Sequence, residues 1–436
     1  MTEIKDLFAS IKFKSFTLAL IVTAYVVQLA SEGTHNMSYY VLWTRSIMEG
    51  RLLDIYHATP ESLIQNSDSL TVPYTPLSQY LTSAVSWLVL RFLPDERASF
   101  VISVNLTCVL FTFLNALCFY RMRKKLEIKS PLIFLATPAV ILISPILGYE
   151  DSIMSFFLVA TLISVNNQKY FLGGLLAGCA VLSKQLTLMP IFAIFLLILY
   201  SKKLIPVFRF MTGAAVSACV ILSPFILSGN ILLYIKAQGL TSVHTMLSAQ
   251  AANFPWLGSL LYKMSELGFI DGFVEGGNGL RISNDLFRQI GYLGSGVLTI
   301  LVFFTWVIFW GRKVGSQNID MTFGAAVMIF SYHLFNFGVH ENHIYMLIPT
   351  LFLLSNRFEV WKIYKLASTA LAVSLISAYG FGEQSRIFNG FSSAHPELFT
   401  AALGVSLILY LLAFSQLLVS NPRRADSQSN TFIDKL

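Results

Sequence analysis

Long apolar runs recur along almost the whole of this chain, and they constrain its fold more than any other feature. Of its 436 residues, 55% are hydrophobic and only 12% are charged, whereas a soluble domain carries about 25% charged residues. Many of the runs approach the roughly 17–25 residues that a helix needs to cross a bilayer. Because unpaired backbone groups are costly in lipid, such runs cross membranes as helices. The sequence therefore predicts an all-α polytopic membrane protein.

The basic residues predict the orientation of these spans. The net charge is +7, but Lys and Arg occur in short clusters between apolar runs, as the positive-inside rule requires, rather than on a nucleic-acid-binding surface. Lys5, Lys12 and Lys14 precede the first apolar run, 16–30, so the N-terminus is predicted to be cytoplasmic. No small-residue cleavage site follows this run, which we interpret as a retained span.

The segment 76–93 is apolar enough to be a span, but charge favours a different placement. If it crossed the membrane, the basic cluster 121–125 after the next run would face outward. If it lies on the external surface, that cluster faces the cytoplasm, as the positive-inside rule prefers. We therefore interpret 76–93 as a second surface helix. The first one contains Met37, Tyr40 and Thr44, which recur at helical spacing.

This orientation predicts about twelve spans in a single membrane domain, 1–420, followed by a polar cytoplasmic tail, 421–436. After the first span, the others are expected near 99–120, 130–148, 152–166, 170–188, 190–201, 205–228, 289–311, 321–338, 343–357, 365–380 and 398–419. The polar residues then gather on the external side, in the loop 32–98 and in links near 148–151, 184–190, 229–288, 338–343 and 380–397.

Polar residues at the ends of spans are the candidates for a functional site, because a charge within a membrane is costly. Lys184, followed by Gln185, is either a snorkelling lysine or a cation for a lipid-linked phosphate. The run 340–343, HENH, fits a hydrogen-bonded corner, a phosphate or substrate site, or a metal site, although HExxH spacing is absent. Glu150 and Asp151 begin a span, where carboxylates are also ordinary first-turn residues.

Taken together, these motifs resemble the GT-C class of integral-membrane glycosyltransferases, which take a sugar from a polyprenyl- or dolichyl-phosphate carrier. The likeness is closest to the glucosyltransferases that use dolichyl-phosphate glucose, and it extends to mannosyltransferases. VPYTPLSQY is similar to the family's YPPL stretch, GYEDSIMSFF to its GQFDS-type link, and SKQLTLMP to its KQ motif. AANFPWL is similar to its AN-Phe-Trp loop and VHENHIYMLIP to its HEK or HERY corner. The five matches follow the family's order across residues 36–349.

The resemblance implies a GT-C fold with two juxtamembrane helices in the first external loop. It also implies transfer of one hexose by inverting in-line displacement, in which an acidic residue after the first span deprotonates the acceptor hydroxyl. Cations and hydrogen-bond donors would receive the departing phosphate, the candidates being Lys184, Gln185, His340, Glu341, His343, Arg281 and Arg288. The candidates for contact with the sugar or the acceptor are Tyr40, Trp43, Tyr74, Asn253 and Trp256. We expect no metal and no cofactor, because Lys, Arg and His can bind a phosphate.

One position departs from the family pattern. When HNMSYYVLW is laid on the family's Asp-x-x-x-x-x-x-Trp pattern, ending at Trp43, the Asp position is held by Asn36. An amide does not take up a proton at neutral pH. Three explanations stay open: the catalytic base is another carboxylate, such as Glu32 or Asp151; the chain is an inactive relative; or Asn36 replaces Asp in order to trap a substrate complex.

The expected partners are a polyprenyl-phosphate-linked sugar donor, a glycan or lipid-linked acceptor, and membrane lipids, with no nucleic acid. The expected location is a bacterial inner membrane with the site facing the periplasm or the cell exterior. A transporter or flippase of lipid-linked sugars is the alternative from a different class. Transporters usually contain paired repeats and polar residues near mid-membrane, whereas here the charges gather at one face and no repeat is evident.

Overall fold

The computed structural model describes residues 22–31, 33–34, 36–56, 75–93, 95–201, 204–239, 247–248, 250–277, 280, 285–315, 318–379 and 395–423. Within these ranges all regular structure is helical, apart from two isolated backbone bridges. In chain order the helices α1 to α18 are Asn36–Met48, Pro76–Val89, Glu96–Leu126, Pro131–Leu135, Pro138–Ile141, Asp151–Asn166, Tyr170–Ser183, Leu188–Tyr200, Leu204–Ile221, Ser223–Leu227, Ile231–Gly239, Phe254–Leu267, Phe269–Val274, Asp285–Val314, Met321–Phe335, Leu347–Phe352, Phe358–Tyr379 and Pro396–Val419.

Four helices in the described part of the chain are long and apolar enough to cross a membrane. They lie in α3, α9, α14 and α18, at Glu96–Arg123, Leu204–Ile221, Gln289–Val314 and Pro396–Val419. Shorter apolar helices accompany them at Asp151–Asn166, Tyr170–Ser183, Gln185–Tyr200 and Met321–Phe335. The prediction of an all-helical protein is confirmed within the described ranges, and the four long helices indicate a membrane protein.

Two of the expected spans are not continuous helices, and the first of them is interrupted at prolines. The segment 130–148 consists of α4, α5 and a π-helical turn, and α4 and α5 begin at Pro131 and Pro138. Proline has no backbone N–H and clashes with the preceding turn, so it starts a helix more readily than it continues one. The segment 343–357 holds only the short helix α16 after a 3-10 turn. Neither break could be predicted from apolar composition alone.

The helix α6 separates two polar ends of the structure. At one end Asn167 accepts a hydrogen bond from Lys125, and Arg357 Nη2 lies 3.3 Å from Asp320 Oδ2. Lys125 belongs to the basic cluster 121–125 and Arg357 ends the expected span 343–357, and the predicted orientation places both on the cytoplasmic side. Asp151 begins α6 at the other end, and its 16 residues span about 24 Å. Three of the predicted external links, near 148–151, 184–190 and 338–343, meet at that second end.

Helix α2 has a polar buried face and an apolar exposed face. Gln79, Ser83 and Ser86 are buried, whereas Trp87 and Leu88 are each 52% exposed. The helix packs against α1, α3 and α7. A helix on an aqueous surface has the opposite distribution, so the outer side of α2 is suited to lipid. The helical state predicted for 76–93 is confirmed over Pro76–Val89.

Candidate functional site

A buried ion pair joins three of the links that the sequence singled out. Lys184, where α7 ends, places Nζ 3.1 and 3.0 Å from the two carboxylate oxygens of Asp151, where α6 begins. Asn342 Nδ2 donates a hydrogen bond of 2.9 Å to Asp151 Oδ2. Asp151 has no exposed surface, and Lys184 and Asn342 are buried as well. The GYEDS, SKQ and HENH segments therefore meet in one place.

This pairing changes the interpretation of two predicted site residues. Asp151 was a candidate for the catalytic base, but both of its oxygens are engaged by Lys184 and one of them by Asn342 as well. Its geometry suits a residue that positions Lys184. Lys184 was a candidate cation for phosphate, and its charge is balanced by Asp151 in this arrangement. It is 6% exposed, so it does not snorkel to the surface.

Glu150 lies beside this ion pair and is held by α2. Gln79 Nε2 lies 3.2 and 3.1 Å from the two carboxylate oxygens of Glu150. The Glu150 residue is only 5% exposed. Desolvation by burial raises the pKa of Glu150 to about 8, and the charge of Lys184 and the Gln79 hydrogen bond offset only part of that rise. Burial therefore favours the protonated form of Glu150 at neutral pH.

A second buried carboxylate, Glu341, is bound by two tyrosines. The Tyr379 hydroxyl donates a hydrogen bond of 2.6 Å to Glu341 Oε1, and the Tyr149 hydroxyl lies 3.2 Å from the same oxygen. Burial raises the pKa of the Glu341 carboxyl, and the hydrogen bonds from Tyr379 and Tyr149 oppose the rise. The charge of Asp151 acts on both Glu341 and Glu150, so the two carboxyl groups belong to the same polar cluster.

The turn 340–343 orients two imidazole rings. The backbone N–H of His340 donates a hydrogen bond of 3.2 Å to His343 Nδ1, so the proton of a neutral His343 ring is assigned to Nε2. The His340 Nδ1 atom lies 4.0 Å from Glu341 Oε2. His340 also forms an isolated backbone bridge with Gln250. This bridge brings the segment before the AANFPWL motif alongside the HENH turn.

Asn253 and Trp256 stabilise the start of α12. Asn253 is the N-cap of α12, because its Oδ1 accepts a hydrogen bond of 2.9 Å from the backbone N–H of Trp256. The Trp256 ring is 1% exposed, and its Nε1 donates a bond of 3.0 Å to the Gly276 carbonyl. Both residues were candidates for contact with the sugar or acceptor. Their bonds instead support a role in holding α12 next to the HENH turn.

The beginning of the first external loop packs against the Glu150 link. Gly148 has a φ of +64°, and a Cβ atom there would lie 2.5 Å from Met37 Cε. Tyr40 and Trp43, two further candidates, are 2% and 4% exposed and pack in a core cluster with Met37. Asn36 begins α1, although its side chain lies outside the described part of the structure. The first turn of α1 is thus next to the polar cluster.

Several predicted site residues lie outside the described ranges. These are Glu32, Tyr74 and Arg281, and for Arg288 only the backbone position in α14 is described. Gln185 lies in the 3-10 turn Gln185–Thr187, directly after Lys184. Among the described residues, no group of three or more His, Cys, Asp or Glu side chains is arranged to hold a metal ion.

Sequence reasoning did not single out Gln79, Tyr149 or Tyr379 as site residues. Gln79 carried a usable signal, since it is an amide within an apolar run and polar side chains in such runs tend to face other polar groups. Tyr149 and Tyr379 carried none. Tyrosine is common at the ends of membrane helices for reasons unrelated to any site.

Comparison with known proteins adds no relative. No protein-family model matches the chain, and no curated protein matches it in sequence. The resemblance noted above therefore rests on its short motifs. What the geometry contributes is a buried cluster at one end of the helices, in which Asp151, Lys184 and Asn342 contact one another and Gln79 contacts Glu150.

Proposed function

We propose that this chain is a glycosyltransferase of GT-C type with about twelve spans. In this proposal it moves one hexose from a polyprenyl-phosphate carrier to a glycan or lipid-linked acceptor, on the periplasmic face of a bacterial inner membrane. The observation that carries the proposal is the contact of Lys184 and Asn342 with Asp151. It joins three motifs, otherwise far apart in the sequence, at the end of the helices where three of the predicted external links meet.

The proposed reaction makes one bond and breaks one. An acceptor hydroxyl attacks the anomeric carbon of the sugar and gives up its proton, while the bond from that carbon to the phosphate oxygen breaks. The electron pair of the broken bond leaves with the phosphate, and the configuration at the carbon is inverted. Proton removal during attack requires a base, and the anionic leaving group requires nearby hydrogen-bond donors or cations.

The polar cluster contains groups of both kinds. The Nε2–H of His343 is a donor for phosphate, because its Nδ1 is already engaged by the backbone. His340 and Lys184 are the other proposed phosphate partners in this cluster, with Lys184 still paired to Asp151. Arg281 and Arg288, whose side chains lie outside the described ranges, are proposed as phosphate partners from the resemblance alone. The carboxyl, amide and phenol groups of Glu341, Gln79 and Tyr379 suit the hydroxyls of a sugar, which both donate and accept hydrogen bonds.

The direct test is sugar transfer by the full-length protein in lipid nanodiscs. The donors are radiolabelled polyprenyl-phosphate glucose and mannose, and a detergent extract of bacterial membranes supplies acceptors. Asn36→Asp is compared with the unsubstituted chain, and Lys313→Met, an exposed lysine at the other end of the helices, serves as the control.

Transfer by either the unsubstituted chain or Asn36→Asp supports the proposed function. Transfer by neither protein contradicts it. If the same inactive protein accelerates the movement of a fluorescent polyprenyl phosphate across vesicle membranes, the flippase alternative is favoured instead.

A further inference from the structure

Two adjacent carboxylates at the start of α6 have different surroundings. Asp151 is bound by the Lys184 ammonium and the Asn342 amide. Glu150 accepts hydrogen bonds from the Nε2 atom of a neutral amide, Gln79, at 3.1 and 3.2 Å, and the Thr82 hydroxyl also favours its charged form. A buried carboxylate whose bound donor is a neutral amide takes up a proton more readily than a carboxylate in water does. The two side chains are therefore suited to different tasks.

The face of α2 that meets Glu150 carries polar atoms that have no partner among the described residues. Gln79 and Ser83 are spaced four residues apart, so they lie along one side of α2. Thr75, four residues before Gln79, directly precedes the helix. Thr75, Gln79 and Ser83 are 1%, 0% and 8% exposed, respectively. Within the described ranges, Thr75 Oγ1, Gln79 Oε1 and Ser83 Oγ have no hydrogen-bond partner. Buried polar atoms are nearly always paired, so this row of three points to a polar ligand.

We propose that Glu150 and this side of α2 bind the incoming acceptor hydroxyl, with Glu150 as its proton acceptor and Gln79 as the residue that positions Glu150. This inference rests on the proposed function and deepens it. The free carbonyl oxygen of Gln79 and the hydroxyls of Thr75 and Ser83 would pair with neighbouring hydroxyls of the acceptor. The acceptor is thus of the polyhydroxylated class, such as a glycan.

The proton balance follows from the reaction. As the acceptor oxygen bonds to the anomeric carbon, its proton passes to a Glu150 carboxylate oxygen, and the polyprenyl phosphate departs with the electrons of the broken bond. Protonated Glu150 then releases its proton to solvent before the next cycle. Asp151 stays paired with Lys184 throughout.

The rate should depend on pH through Glu150. Its pKa is raised to about 8, chiefly by burial, so the fraction in the base form grows as the pH rises toward 8. The charged groups that face it are Lys184, which lowers its pKa, and Asp151, which raises it. Tyr56 and Cys108 also face it. We expect transfer to increase with pH and to level off above about 8.

The test measures transfer from radiolabelled polyprenyl-phosphate glucose and mannose between pH 6 and 9, with the full chain in nanodiscs. Glu150→Gln should reduce transfer at pH 8 by about 100-fold or more, as loss of a general base does, and should abolish the rise with pH. Gln79→Ala should move the midpoint to higher pH, because it removes a bond to the charged form. Glu359→Gln, an exposed carboxylate in α17, is the control and should leave the profile unchanged.

Three outcomes would overturn this inference while leaving the proposed function in place. Glu150→Gln could retain the rate and the pH profile of the unsubstituted chain. Gln79→Ala could leave the midpoint where it was, which is informative even if Glu150→Gln does not fold. Asn36→Asp could exceed the unsubstituted chain by 100-fold or more, which would place the base at position 36. If no protein transfers either sugar, the proposed function fails and this inference fails with it.

Discussion

Lys184 and Asp151 form an ion pair of 3.0 Å in which the side chains are 8% and 0% exposed. Removing one partner of a buried pair leaves an uncompensated charge and costs about 3–5 kcal/mol, whereas removing both charges together is far less costly. We therefore expect Lys184→Met to lower the free energy of unfolding by about 3–5 kcal/mol. Thermal unfolding in detergent, followed by intrinsic fluorescence, measures the effect.

The double variant Lys184→Met/Asp151→Asn is the matched control for this pair. It should unfold at a higher temperature than Lys184→Met alone, because the buried negative charge is gone. A double variant whose destabilisation equals the sum of the two single losses would show that the residues do not interact.

Stability should fall as the pH rises through the range in which Glu150 titrates. Its folded pKa is about 8 and its ordinary value is 4.5, so between these values the folded state holds a proton that the unfolded state has lost. The contribution is fully present below pH 4.5 and is lost toward pH 8, with a limiting slope of about 1.4 kcal/mol per pH unit. Comparing the free energy of unfolding of the unsubstituted chain with that of Glu150→Gln across pH 5–9 isolates the contribution of Glu150. Equal pH dependence in both proteins would contradict the shift.

Gly148→Ala should be more damaging than a substitution at another glycine of similar backbone conformation. Gly148 and Gly229 have φ of +64° and +73°, so alanine strains the backbone at both sites by about 1 kcal/mol or more. Only at Gly148 does the added Cβ meet neighbours, at 2.5 Å from Met37 Cε and 2.6 Å from Asn105 Oδ1. We expect a lower melting temperature for Gly148→Ala than for Gly229→Ala. Equal melting temperatures would show that the residues around position 148 move to make room for the added methyl group.

The proposed orientation predicts opposite labelling of two exposed positions. Asp54 follows α1 on the predicted external side, and Lys362 lies in α17 near the predicted cytoplasmic end. In a variant that lacks the four native cysteines, a membrane-impermeant maleimide should label Asp54→Cys in intact cells. It should label Lys362→Cys only after permeabilisation. Labelling of both positions from the same side would disprove the orientation.

Much of the helical pattern was accessible from sequence, because hydropathy is a local property. The expected spans 99–120, 289–311 and 398–419 fall within α3, α14 and α18. The breaks in the helix of segment 130–148 were not predicted, because its apolar residues outweighed its prolines in the sequence pattern. The prediction that many polar residues lie in a few links between apolar runs also depended only on local hydropathy.

The partners within the site were less accessible to sequence reasoning. The bond of Asn342 to Asp151 joins positions 191 residues apart, and the bond of Gln79 to Glu150 joins positions 71 apart. No local pattern specifies such pairs. Sequence placed Lys184 and Asp151 on the same side of the membrane, but it assigned them separate roles, phosphate binding and catalysis, where the structure pairs them.

The reversed polarity of α2 bears on how the chain assembles. Inserted into a bilayer alone, this helix would turn its serines and its glutamine toward hydrocarbon, which offers them no hydrogen bonds. A hydrogen-bond partner of this helix is synthesised later than the helix itself. Ser78 Oγ donates to the carbonyl of Ser183, which follows Ser78 by about a hundred positions. We therefore expect α2 to stay at the lipid headgroups, or bound to the insertion machinery, during biosynthesis until α7 has been synthesised and can pack against it.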